Sequence, residues 1–261
     1  MSSIDPRKAY WNDNYMEYWR ARVAEAGSGD SDVVHGDART EDDEVYESVF
    51  AANPFRPGNL LDVGCAWGRM FPLYLQYGLQ VSGIDISTAM IEAARAQWAE
   101  VDWVERIEES TAEQLPFSDA SFDNLVCLGT FDATYQHQAM GEFLRVTRPR
   151  ARLYVTGKHN HYALDDTRAL AAEIGARGKG HPNYFTDTLE LIDQMEGQGH
   201  RLLHAYYFLR RGDFAAWNYQ AKPPDNFYEY FLIFERGESW QPLEPCAYPY
   251  SRTFLQQKGE A

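Results

Sequence analysis

Cysteine is scarce: Cys65, Cys127 and Cys246 are the three in 261 residues, far apart and in no CxxC or Cys/His spacing. Neither a disulfide framework nor a zinc site is indicated. Basic residues are outnumbered, 24 Lys and Arg against 39 Asp and Glu, for a formal charge of −15. That balance repels a phosphate backbone, and the small basic clusters at 145–152 and 210–211 do not offset it, so no nucleic-acid partner is expected. No apolar run approaches the roughly 18 residues needed to cross a bilayer, so no membrane partner is expected either. The amino end carries Asp5, Pro6, Arg7 and Lys8 with no apolar stretch behind them, unlike a secretory signal, and a cytoplasmic protein is expected. Internal repeats and long low-complexity segments are also lacking.

What is present suits a soluble α/β protein, with 44% hydrophobic and 24% charged residues. One domain is expected, with a helical cap at 1–55, a cofactor-binding half at 56–160, acceptor-side helices and an edge hairpin at 161–236, and a tail at 237–261. From Asn59 short apolar runs at 60–63, 80–84, 103–108, 122–128 and 152–156 alternate with amphipathic stretches at 71–77, 89–98 and 140–146. Strand alternating with helix predicts a mostly parallel, Rossmann-like sheet with helices on both faces. Residues 165–199 read as helical with a break at 178–182. Two aromatic runs, 204–209 and 227–234, are expected to pair antiparallel at the sheet edge. The tail shows no period.

The chemistry centres on Leu60-Leu61-Asp62-Val63-Gly64-Cys65-Ala66-Trp67-Gly68-Arg69, a buried strand, a turn of small residues and a helix start. Small residues at Gly64, Ala66 and Gly68 let backbone bend sharply and approach a ligand, and a nucleoside fits there. A second strand ends in Asp85, where a carboxylate can accept two hydrogen bonds from a ribose diol; alternatively Ser87 caps the next helix and Asp85 belongs to that cap.

These two motifs, with the run Ser110-Thr111-Ala112-Glu113-Gln114-Leu115-Pro116-Phe117 and Ser121-Phe122-Asp123 before a strand, resemble in order and spacing those of class I S-adenosylmethionine-dependent methyltransferases, small-molecule type. The resemblance implies a seven-stranded sheet with its last strand antiparallel, and S-adenosyl-L-methionine across the carboxyl ends of the first strands. By it Gly64, Cys65 and Ala66 would hold the methionine part, Asp85 the ribose, and Thr111, Ala112 and Glu113 the adenine. Asp62, Gly68, Ile86, Leu128, Gly129 and Tyr18 complete the expected cofactor site. Tyr10, Trp11, Tyr15, Tyr18 and Trp19 read as one aromatic helix face, which either packs against the core or closes over the pocket. The acid common in the family at position 111 is absent, and Ala66 replaces a glycine.

An oxygen or nitrogen atom of a small acceptor is expected to take the methyl group, ahead of carbon. A silent cofactor-binding protein is one alternative. A nicotinamide-dependent oxidoreductase is another, although its GxGxxG fingerprint fails at Ala66 and Arg69. Candidate catalytic residues are His159 and His161, following the fifth strand, as a base, and Asp132, following the fourth, as an acceptor contact or a helix cap. Ala133 stands where relatives often carry histidine, and His137 reads as the start of a helix leading away. No metal site is expected. At 181–187 a turn and helix start are expected, with Thr186 as N-cap.

Overall fold

A computed structural model describes residues 5–14 and 41–259. Helix α1 covers residues 6–14. It is followed by α2 (Glu41–Ala52), β1 (Asn59–Val63), α3 (Phe71–Gln76), β2 (Gln80–Asp85), α4 (Thr88–Trp98), β3 (Val104–Glu109) and β4 (Phe122–Cys127). Then come α5 (Gln136–Val146), β5 (Thr147–Lys158), α6 (Thr167–Gly178), β6 (Phe185–Thr186), α7 (Thr188–Gly197), β7 (Arg201–Phe208), β8 (Glu229–Glu235), β9 (Ala247–Tyr248) and α8 (Arg252–Lys258).

Seven strands form one sheet in the order β3-β2-β1-β4-β5-β8-β7. The first five are parallel, and β8 runs antiparallel between β5 and β7. The expected Rossmann-like sheet and antiparallel hairpin are therefore present. Strand periodicity divides the core: Leu125 and Cys127 of β4 and Leu232 and Phe234 of β8 face α5 and α7, while Val126 and Ile233 face α2, α3 and α4. Because β2 and β4 flank β1 on opposite sides, the helices that follow β1 and β4 leave in opposite directions. A crevice opens beyond the carboxyl ends of those strands.

Several expectations are corrected. Helix α2 lies within the stretch read as a cap, but Val45, Val49 and Phe50 are buried in the core. Strand β5 begins at Thr147 rather than 152. The tail holds β9, paired with β6, and α8, whose N-cap Ser251 donates its hydroxyl to the buried Glu173 of α6 at 2.6 Å. Thr186 is not a helix cap: it pairs with Ala247, its hydroxyl bridges Gln136 and Tyr230, and Asp187 caps α7 instead. Tyr15, Tyr18 and Trp19 lie outside the described residues.

Candidate functional site

The β1 strand ends in a turn that only small residues can make, with positive φ at Gly64 (81°), Ala66 (51°) and Gly68 (78°). The Gly64 and Cys65 amides both donate to the Ile84 carbonyl, at 2.8 and 2.9 Å, tying the turn to the end of β2. Asp85 completes the tie: its carboxylate accepts from the Ala66 amide at 3.0 Å and the Ser87 amide at 2.8 Å. Burial pushes Asp85 up to about 6, against the pull of those backbone donors. Ser87 caps α4 through the Met90 amide. Asp85 is thus both an organiser of the cap and part of the wall of a cleft.

That cleft, about 1160 Å³ with its open mouth, occupies the crevice at the strand ends. Asp62 of β1 lines it, buried, accepting from the Tyr74 hydroxyl at 3.3 Å. Burial pushes Asp62 up to about 7, although the hydroxyl and Arg69 favour its charged form. Arg69 enters the same wall and is ion-paired with Asp43 of α2. Opposite them lie Leu128, Gly129 and Thr130 after β4, the Gly129 amide donating to the Thr156 hydroxyl at 2.7 Å. Ile86, Thr111, Ala112 and Glu113 form the remaining end.

The structure brings together in this wall Asp62, Gly64, Cys65, Ala66, Asp85, Ile86, Thr111, Ala112, Glu113, Leu128 and Gly129. Gly68 does not line it: the glycine packs under Trp98, which a Cβ would meet at 2.5 Å. Glu113 is turned to another task, since its carboxylate accepts from the Arg7 guanidinium at 2.6 Å and from the Tyr135 amide at 2.6 Å.

The expected catalytic residues lie elsewhere. His159 is buried away from the cleft, stacked on Phe227 with ring centroids 3.9 Å apart and hydrogen-bonded to the Thr188 hydroxyl at 3.0 Å. Burial pushes its pKa down to about 4, so it packs as a neutral ring. His161 is also absent from the wall. Both follow β5, but the chain there turns under α7 and β6 rather than over the crevice. Asp132 neither lines the cleft nor caps α5; it is ion-paired with Lys158. Ala133 does line the cleft, and His137 lies in the first turn of α5.

Trp11 of the expected aromatic face lines the wall too, and so do Arg7, Tyr46, Arg69, Met70, Thr130 and Thr134, which sequence reasoning missed. Arg69 closes the glycine motif and could have been flagged as a cation facing a ligand. The others are brought in by tertiary packing and carry no local signal. Among the described residues no cluster of three or more His, Cys, Asp or Glu could hold a metal ion, and no helix is long and apolar enough to cross a membrane.

Residues 61–155 match the family described as a methyltransferase domain. The demethylmenaquinone methyltransferase of Renibacterium salmoninarum is 32% identical over 146 residues, 52% of this chain and 60% of that protein. An O-methyltransferase of Penicillium expansum is 31% identical over 128 residues, 47% of this chain and 46% of that one. The chain thus spans about half the length of these curated relatives. Among solved structures, the magnesium protoporphyrin IX methyltransferase of Synechocystis, crystallised with bound S-adenosylmethionine, superposes with a TM-score of 0.57 at 16% identity, covering 91% of this chain and 100% of that one.

Proposed function

We propose that this chain, whose residues 61–155 match a methyltransferase domain, transfers the methyl group of S-adenosylmethionine to a small-molecule acceptor. The observation that carries this reading is the donor set of the cleft: two buried carboxylates, Asp62 and Asp85, and the cation Arg69, around a turn of small residues. The cofactor's amino-acid part has an ammonium and a carboxylate, and its nucleoside part has a vicinal diol. Asp62 suits the ammonium, Arg69 the carboxylate and Asp85 the diol, so the residues present fit the group. When bound, it supplies an electrophilic methyl on a sulfonium. Gly64, Cys65 and Ala66 would border the methionine part, and Thr111 and Ala112 would border the adenine.

Methyl transfer from a sulfonium depends mainly on aligning two atoms, and the protein's contribution is to hold donor and acceptor in line and exclude water. Thr130 and Thr134, which line the cleft after β4, would position the acceptor. With His159 packed in the core, an acid–base role for it is withdrawn. An oxygen or nitrogen acceptor, a cytoplasmic setting and the lack of a nucleic-acid partner belong to this reading, the last supported by the charge of −15.

The test combines calorimetric titration with S-adenosylmethionine and, separately, with a nicotinamide dinucleotide, and release of labelled methyl to metabolites of an extract. Saturable binding of the former with labelled product is expected. Binding without product would favour a silent binding protein, and binding of the dinucleotide alone would favour an oxidoreductase.

A further inference from the structure

Helix α1 lies across the end of the cleft formed by residues 111–113, and what attaches it is unusual. Among the described residues 5–14, only Arg7 is buried; no apolar side chain is. Its guanidinium makes a two-pronged pair with Glu113, at 2.6 and 3.2 Å, with both side chains only 8% exposed. Asp5 holds the same guanidinium from within the segment, and the Tyr135 ring lies 4.2 Å beneath it. The guanidinium also donates to the Ala133 carbonyl at 3.4 Å, and shallower attachments include Lys8 to Glu109, Asn12 to the Ser87 hydroxyl at 3.0 Å, and Tyr10 and Trp11 against the His181 ring. Arg7 and Trp11 both line the cleft.

Because residues 5–14 bury no apolar side chain, polar and ring contacts hold α1, and the most buried of them, the Arg7–Glu113 pair, weighs most in how often it opens. A buried carboxylate that loses its guanidinium is left uncompensated, so the pair is a strong latch while closed. We propose that the Arg7–Glu113 pair is a latch that docks α1 over the adenine end of the cofactor site, making Arg7 a positioning residue for cofactor entry and retention. This rests on the reading of the cleft as an S-adenosylmethionine site. In this arrangement the cleft-lining carboxylate of Glu113 is used to hold the roof rather than to read the base.

With the latch closed, α1 lies over the end of the cleft, so it opposes entry and exit alike. Removing it accelerates both, and the affinity changes much less than either rate. A simple contact to the ligand would alter dissociation alone. The experiment is stopped-flow fluorescence with S-adenosylhomocysteine as the probe, on wild type, Arg7→Ala, Arg7→Lys and Arg7→Ala with Glu113→Gln. Hydrogen exchange of residues 6–14 is measured on the ligand-free proteins, and melting curves verify folding. In Arg7→Ala, association and dissociation should both rise by about tenfold or more, exchange in α1 should quicken, and the double variant should be no worse than the single. Arg7→Lys, which keeps the charge but not the fork, should fall between. Rates within about twofold of wild type, or a rise in dissociation alone, overturns the latch while leaving the cofactor reading in place. If wild type shows no binding of the probe, the reading falls and the latch with it; unchanged exchange in α1 overturns the latch directly.

Discussion

Asp62 concentrates the electrostatics of the site in one side chain. Burial raises its pKa to about 7, so at mildly acid pH the folded protein keeps a proton that the unfolded chain, an ordinary carboxylate, has released. Between about pH 4 and 7 the folded state therefore binds more protons at this position, and stability falls as pH rises. His159, His181 and His200, each held near 4 by burial, act in the opposite sense, losing stability as pH falls from their usual range. A variant isolates Asp62 from them. Asp62→Asn in the ligand-free protein should gain stability relative to wild type on going from pH 5 to pH 8, by about 1 to 4 kcal/mol, read from urea midpoints. A flat difference would mean that Asp62 is ionised throughout. The same variant should weaken cofactor binding, because the ammonium loses a charged partner.

At the scale of elements, two turns meet at the site, one after β1 and one after β4. A Cβ built on Gly64 would lie 2.2 Å from the Thr130 hydroxyl oxygen and 2.6 Å from its methyl group. The φ of 81° is unfavourable for any other residue as well. Gly64→Ala should therefore cost about 1 to 3 kcal/mol of stability and abolish cofactor binding, because relief of the clash pushes apart the two strand ends that border the proposed cofactor site. Melting and calorimetry together check this; a folded variant with wild-type affinity would place the cofactor elsewhere. Ala66 accepts a left-handed conformation of its own, φ 51°, within the same hydrogen-bonded frame, which is how the turn tolerates a residue other than glycine.

At the scale of the molecule, the charge of −15 surrounds a cleft that holds two buried carboxylates. S-adenosylmethionine carries one net positive charge, whereas S-adenosylhomocysteine, lacking the sulfonium, is neutral overall. Long-range attraction should speed association of the former only. Raising salt from about 20 to 500 mM, which shortens the screening length to a few ångströms, should slow its association about two- to tenfold and leave the neutral product nearly unaffected. Equal salt dependence for the two would show that the protein's field does not steer the cofactor.

The sequence alone determined the Rossmann-like sheet, the turn at Gly64–Gly68 and the placement of Asp62 and Asp85 at its mouth. Each follows from local rules: the sheet from short apolar runs alternating with amphipathic stretches, and the tight turn from small residues after a buried strand. Only the tertiary structure decided what distant segments bring. Burial of α2 against the sheet, the pairing of β9 with β6, and the direction of the chain after β5 depend on contacts between residues far apart in sequence. That direction takes His159 into the core and away from the cleft, although β5 itself points at it. Glu113 shows the same division: its neighbours in sequence suggest a reader of adenine, but Arg7, 106 residues away, takes its carboxylate. A charge binds whichever opposite charge the fold puts beside it, and the linear order of residues does not encode that proximity.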